Sequence, residues 1–236
     1  MDATVASNLQ SVRTRIDAAA RRAGREPSGI RLIAVSKTFS ADHVRAAWAA
    51  GQRDFGENKV QEALQKIGAT SDMEIRWHLI GHLQSNKARK AAGPFAWIHT
   101  LDSVGLLRKL DDASVELGAT PAVLVQVDLA NEASKFGAVA DEARRIADAA
   151  QAARAVRLNG LMLIPPWNED QEQTRPWFAR LRELRDGWIA EGMPPASLAH
   201  LSMGMSHDFE AAVEEGATIV RVGTAIFGKR TNSSAV

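Results

Sequence analysis

The chain has 236 residues, 45% of them hydrophobic, enough to bury a sizeable core in one large domain or two small ones. Twenty-nine lysines and arginines against 28 aspartates and glutamates leave a formal charge of +1, which excludes a field of one sign drawing the chain to nucleic acid or a membrane surface. The absence of cysteine excludes disulfides, thiolate nucleophiles and cysteinyl metal sites, and the absence of tyrosine excludes phenolic acid–base chemistry.

The first element is an amphipathic helix within residues 1–24. Val5, Leu9, Val12 and Ile16 form one apolar stripe, and Gly24 with Pro27 ends it. The start of the chain, with Asp2 and Asn8 close to Arg13 and Arg15, has no signal-peptide core, and no apolar run approaches the ~20 residues of a membrane span. A soluble, cytoplasmic protein is expected. Short β-branched runs then follow at Arg31–Ser36, Arg53–Gly56, Ile75–Ile80, Ala96–Leu101, Ala122–Leu129, Leu158–Ile164, Leu198–Ser202 and Thr218–Val222. Helical spacing fills the intervals at Ala41–Ala50, Val60–Ile67, Val104–Leu117, Val139–Ala153, Gln171–Ile189 and Phe209–Glu215.

Repeated β–loop–α units force parallel strands with helices outside, and eight of them in ~250 residues close most naturally into a (β/α)8 barrel. The alternative is an open doubly wound sheet. It lacks its dinucleotide fingerprint here, because Ser36-Lys37-Thr38-Phe39 follows the first run in place of a glycine-rich turn. No linker divides the chain, so a single domain is expected over residues 1–230, with 231–236 a frayed tail.

In such a barrel the chemistry lies where strands end. Lys37 ends the first run and by alternation shares a face with Ile33 and Val35. In a packed interior its amine loses solvation and becomes nucleophilic enough for a Schiff base, whereas at an open strand end it simply snorkels to water. Arg221 interrupts the apolar run Thr218–Val222. A buried guanidinium must be given acceptors, either a carboxylate such as Glu57 or Asp128 or a ligand. Ser202-Met203-Gly204-Met205-Ser206 after the seventh run and Gly223-Thr224 after the eighth have the small residues and hydroxyls of a barrel phosphate site, though glycine and serine are also ordinary turn residues.

His78 and His82 are four apart, but Gly81 breaks the segment and the apolar residues before it favour a strand, which argues against a metal pair. His78 is then a strand residue, and His82, Gln84 and Asn86 are loop groups that could face the barrel mouth. His43, His99, His200 and His207 show no triad-like grouping with a serine along the sequence.

Taken in order, Ala34-Val35-Ser36-Lys37-Thr38, Phe55-Gly56-Glu57-Asn58 with Gln61-Glu62, Trp77 to Lys87 (WHLIGHLQSNK), Leu201 to Asp208 (LSMGMSHD) and Arg221 to Gly228 (RVGTAIFG) resemble the pyridoxal-phosphate homeostasis proteins. The resemblance runs from about Ile30 to Arg230, with small departures at Leu79 and Ala91. It implies a barrel like that of fold-type III pyridoxal-phosphate enzymes, with the cofactor in a Schiff base on Lys37. The cofactor-binding set it implies is Lys37, Asn58, His82, Ser202, Met203, Gly204, Ser206, Arg221, Gly223 and Thr224, with the two loops on the phosphate and Arg221 facing the pyridine nitrogen.

The function it implies is a non-catalytic, monomeric carrier that buffers pyridoxal 5′-phosphate and delivers it to apoenzymes. The alternative is an amino-acid racemase or decarboxylase of fold type III. Racemases of that type need a tyrosine supplied with an extra β-domain, and this chain has no tyrosine and ends just after the eighth run. A Schiff-base aldolase acting on a sugar phosphate is a further alternative.

Overall fold

The structure is a computed structural model and describes residues 2–130 and 136–228. The expected frayed tail, 231–236, lies outside the described residues. Eight parallel strands close into a barrel in sequence order: β1 (Arg31–Val35), β2 (Asp54–Glu57), β3 (Arg76–Leu79), β4 (Trp97–Leu101), β5 (Ala122–Gln126), β6 (Arg157–Met162), β7 (His200–Ser202) and β8 (Ile219–Val222). Closure is made by β1 against β8, with Ile33 opposite Arg221 and Ala34 opposite Val222.

All eight expected runs are strands, covered by helices outside and packed on one another inside, so their residues are mostly buried whether apolar or, as at Asp54, Glu57, His78, His99 and Arg221, polar. The helices are α1 (Asp2–Arg22), α2 (Ala41–Ala49), α3 (Val60–Ala69), α4 (Ala88–Ala92), α5 (Val104–Leu117), α6 (Ala140–Ala150), α7 (Arg175–Ala190), α8 (Phe209–Glu214) and α9 (Thr224–Phe227). The sequence pattern does not show α4 and α9, which are too short to complete a helical period. It also joins 171–173 to α7. That segment is a separate 3-10 turn capped by the Asp170 side chain, and Pro176, which has no N–H, starts a new helix.

The main core lies between the outer strand faces and the helices, and a smaller apolar cluster of Ile33, Trp97, Leu124, Met162 and Ile219 fills the barrel interior. The predicted stripe of α1, Val5, Leu9, Val12 and Ile16, is buried throughout. Each such side chain contributes about 1.5–3 kcal/mol relative to exposure. Polar contacts then tie α1 to the last elements of the chain: Asn8 donates to the Ile226 carbonyl at 2.9 Å, Arg15 pairs with Glu210 and Arg22 with Glu214. No helix of the described residues is long and apolar enough to cross a membrane.

Candidate functional site

Lys37 lies two residues beyond β1, half-buried, on the end of the barrel where the βα loops open. The backbone on either side of it is clamped by α3. The Ser36 carbonyl accepts from Lys66 Nζ at 2.7 Å, and the Thr38 N–H donates to Glu62 Oε1 at 2.6 Å. Ser36 Oγ donates to Glu57 Oε1 at 2.6 Å, and Lys66 bridges Glu57 at 2.7 Å and Glu62 at 3.0 Å. Thr38 has a φ of 69°, a left-handed conformation that a β-branched residue avoids unless its surroundings impose it.

Burial pushes the Glu57 carboxyl up, against its bonds to Lys66 and Ser36. Burial also acts to raise Glu62, but there the Thr38 N–H and Lys66 prevail and its pKa is lowered. Sequence reasoning missed Lys66. Its signal was available: a lysine on the apolar stripe of Val60, Ala63 and Ile67 has to find a carboxylate or leave the core.

The barrel interior holds a continuous polar chain. Asp54 accepts from Arg76 through both oxygens (2.9 and 2.7 Å) and lies 3.0 Å from His78 Nε2. His78 Nδ1 is 3.0 Å from His99 Nε2, and His99 Nδ1 is 2.9 Å from Ser202 Oγ. Arg221 completes it, donating to Ser202 Oγ at 2.6 Å and to the Leu163 carbonyl at 2.9 Å. The ends of the chain fix its direction, because a guanidinium only donates and a carboxylate only accepts. Ser202, accepting from Arg221, gives its own proton to His99 Nδ1. His99 then carries its proton on Nε2 and donates to His78 Nδ1, and His78 Nε2–H donates to Asp54. Both histidines are neutral in this arrangement.

The titration tendencies agree with it. Burial lowers His78 and lowers His99 further, with His78 and Arg221 adding to the effect on His99. Burial acts to raise Asp54, but Arg76 and His78 outweigh it and hold the carboxyl well below its usual range. Arg221 is pushed down to about 10 by burial, opposed by Asp208, and stays protonated at neutral pH. A spatial Asp–His–Ser grouping therefore exists that the linear sequence does not show. It is not a nucleophile triad, since Ser202 is fully buried and already accepts from a cation.

Three expectations need correction here. Arg221 pairs with neither Glu57, which is held by Ser36 and Lys66, nor Asp128, which accepts from the Ala130 N–H; its acceptors are neutral. Ser202 Oγ turns into the barrel instead of outward to a phosphate. Met203 is packed in the outer core, and its N–H donates to the Ile219 carbonyl.

The remaining loop residues form a cradle. Ser206 Oγ accepts from Gly223 N–H at 3.1 Å and Ala225 N–H at 3.4 Å, joining the loops after β7 and β8. Among the described residues, the N–H groups of Gly204, Ser206 and Thr224 have no partner. Gly204 has a φ of +91°, and a Cβ there would lie 2.6 Å from the Ala212 methyl, so only glycine lets this turn rest on α8.

Across the mouth, a Cβ on Gly81 would lie 2.2 Å from the Asn58 carbonyl oxygen, so the loops after β2 and β3 touch through backbone. Asn58 Oδ1 is buried and makes no hydrogen bond among the described residues. His82 Nδ1 lies 3.1 Å from Asp102, and its ring stacks on Phe136 with centroids 3.8 Å apart. Asn58 and His82 both line two adjoining cavities of about 400 and 290 Å³. Lys37, Asn58, His82, Gly204, Ser206, Gly223 and Thr224 thus gather at one end of the barrel, with Arg221 beneath them.

A closed parallel barrel with a lysine after β1 and an arginine inside β8 defines a class, and the model of the alanine racemase N-terminal domain matches residues 7–231. An alanine racemase from Corynebacterium glutamicum shares the fold at a TM-score of 0.70 and 17% identity, covering all of this chain and 64% of its own. The chain belongs to the family of pyridoxal phosphate homeostasis proteins. It is 44% identical to the Pseudomonas aeruginosa member over 228 residues (96% of each chain) and 41% identical to that of Escherichia coli over 232 residues (97% of this chain, 98% of the other). The structure of PipY from Synechococcus elongatus with pyridoxal phosphate bound aligns at a TM-score of 0.84 and 40% identity, over 95% of this chain and 100% of that one.

Proposed function

We propose that this chain binds pyridoxal 5′-phosphate at the barrel mouth, buffers it and delivers it to apoenzymes, acting as a cytoplasmic monomer without turnover of its own. The observation that carries the reading is the cradle: unpaired N–H groups of Gly204, Ser206 and Thr224 beside Ser206 Oγ offer donors for a phosphate. Asn58 lines the two cavities across the mouth, and its Oδ1, buried with no hydrogen bond among the described residues, is a second group that suits a polar ligand. The cofactor supplies an aldehyde that a lysine amine can capture reversibly and a ring that acts as an electron sink when its nitrogen is protonated.

Lys37 is the residue we assign to the covalent link. Its neighbours Ser36 and Thr38 are clamped by α3, which fixes the backbone that presents the amine. Arg221 is assigned to the pyridine nitrogen. Being donor-only, it keeps that nitrogen unprotonated and weakens the ring as an electron sink, which favours holding over catalysis. The racemase alternative asks for a tyrosine, and the sequence contains none.

The test is an absorbance spectrum of the protein with pyridoxal phosphate before and after borohydride, followed by peptide mass analysis. A band lost on reduction with added mass on Lys37 is expected, together with no racemisation or decarboxylation of amino acids above background. Steady turnover of any amino acid that disappears in Lys37→Ala overturns the carrier reading.

A further inference from the structure

A cavity of about 730 Å³ lies at the opposite end of the barrel from Lys37, between α1 and the starts of β1, β2 and β3. Four guanidinium groups, Arg13, Arg31, Arg53 and Arg76, and two carboxylates, Asp17 and Asp54, line it. The charges do not cancel locally. Arg76 forks onto Asp54, which also takes a hydrogen bond from His78. Arg13 is held by the Ala50 carbonyl and the Gln52 side chain, and Arg53 by the Trp48 and Gln52 carbonyls. These neutral oxygens fix both groups in place, so that four guanidiniums on the lining stand against two carboxylates, one of them the occupied Asp54. Arg31 lies over the Trp97 ring at 4.8 Å and 3.9 Å from the occupied Asp54, and its Nη1 is buried with no hydrogen bond among the described residues. Burial and Arg31 lower His200 beside it, so no imidazolium adds to the charge.

We propose that this floor is a second binding site, for a compact polyanion carrying phosphate or several carboxylates. A cavity of this size matches small-ligand sites, and guanidinium forks pair with either anion through two parallel bonds. Arg13 and Arg53, held in place by neutral oxygens on the lining, meet an anion without first having to be ordered, which lowers the entropic cost of binding, and the Arg31 guanidinium adds its charge to the same lining. The site does not depend on what the mouth holds.

Calorimetric titration tests this, with the protein first saturated with pyridoxal phosphate so that the mouth is filled. Pyrophosphate and citrate are titrated separately, which tells phosphate chemistry from carboxylate chemistry. Saturable binding of at least one is expected, weakening as salt rises and about tenfold or more weaker in Arg31→Met and in Arg13→Met, with the cofactor band unchanged. No saturable binding of either anion, or both variants binding as tightly as the parent, overturns the proposal. If Arg31→Met does not fold, Arg13→Met, on the surface helix, decides. If no pyridoxal phosphate is taken up, the mouth reading fails by its own spectrum and the two arginine variants still report on the floor.

Discussion

Arg221 carries its charge inside the barrel against neutral acceptors, Ser202 and the Leu163 carbonyl, and this makes its presentation depend on which proton each histidine holds. Nitrogen-15 spectra of the histidine rings should place the protons of both His78 and His99 on Nε2. A proton on Nδ1 of His99 would reverse the chain and break the argument. For Arg221→Glu in the loaded protein, the bound-cofactor spectrum should shift, because a carboxylate favours a protonated ring nitrogen, and some stability is lost with it. An unchanged spectrum at full occupancy, with only a lower Tm, assigns Arg221 a packing role. Lys37→Ala should lose the borohydride-reducible band while retaining noncovalent binding through the cradle; a surviving reducible band moves the covalent link to another lysine. At this scale the places of Arg221 inside β8 and of Lys37, Gly204, Ser206, Gly223 and Thr224 just beyond strand ends are legible in the sequence, because each breaks the rule of its place: a cation in a strand, small residues at strand ends. Ser202 is misread because alternation, which decides whether a hydroxyl points in or out, turns on the register at the end of a three-residue strand.

The element that most directly supports the site is α3. Lys66 reaches Ser36 and two carboxylates, so Lys66→Met strands Glu57 in a buried position, and a loss of about 3–5 kcal/mol is expected in urea unfolding. Adding Glu57→Gln should restore part of it, since the uncompensated charge is then gone; a strictly additive double variant shows that the pair is not coupled. Glu62→Gln weakens the charge-assisted bond to the Thr38 N–H and should reduce the yield of the covalent adduct at Lys37 more than it lowers stability. The strands and the long helices were readable from apolar runs and 3.6-residue spacing. The clamp was not, because Lys66 and Glu57 are nine residues apart on different elements and meet only once the barrel wall exists.

For the whole molecule, two neutral histidines sealed in the interior set the response to acid. A histidine whose folded pKa is lowered contributes stability that is present above its ordinary value of about 6.5 and is lost as pH falls through that value toward the folded one. Stability should therefore fall as pH drops below that point, by at most about 1.4 kcal/mol per pH unit for each such histidine and only until its folded pKa is reached. Burial raises Glu57, Asp102 and Asp208, and raised carboxylates act with the opposite sign, losing stability as pH rises above their ordinary range. The clean measurement is thus a difference: the slope of stability against pH between 7 and 5 for the parent minus that for His99→Gln, by calorimetry. Identical slopes exclude His99 as the group that titrates on unfolding.

Closure of the barrel also orders events in time during synthesis. One edge of β1 is completed only by Ile219–Val222, and α1 rests on Glu210, Glu214 and Ile226. Both elements emerge from the ribosome early and wait, at roughly 5–20 residues per second, for partners made last. Until then the exposed edge of β1 is open to pairing with a neighbouring nascent chain. The strand that leads into Lys37 likewise meets the strand that carries Arg221 only at the final step, so a nascent chain stalled before β8 lacks one wall of the barrel and of its mouth.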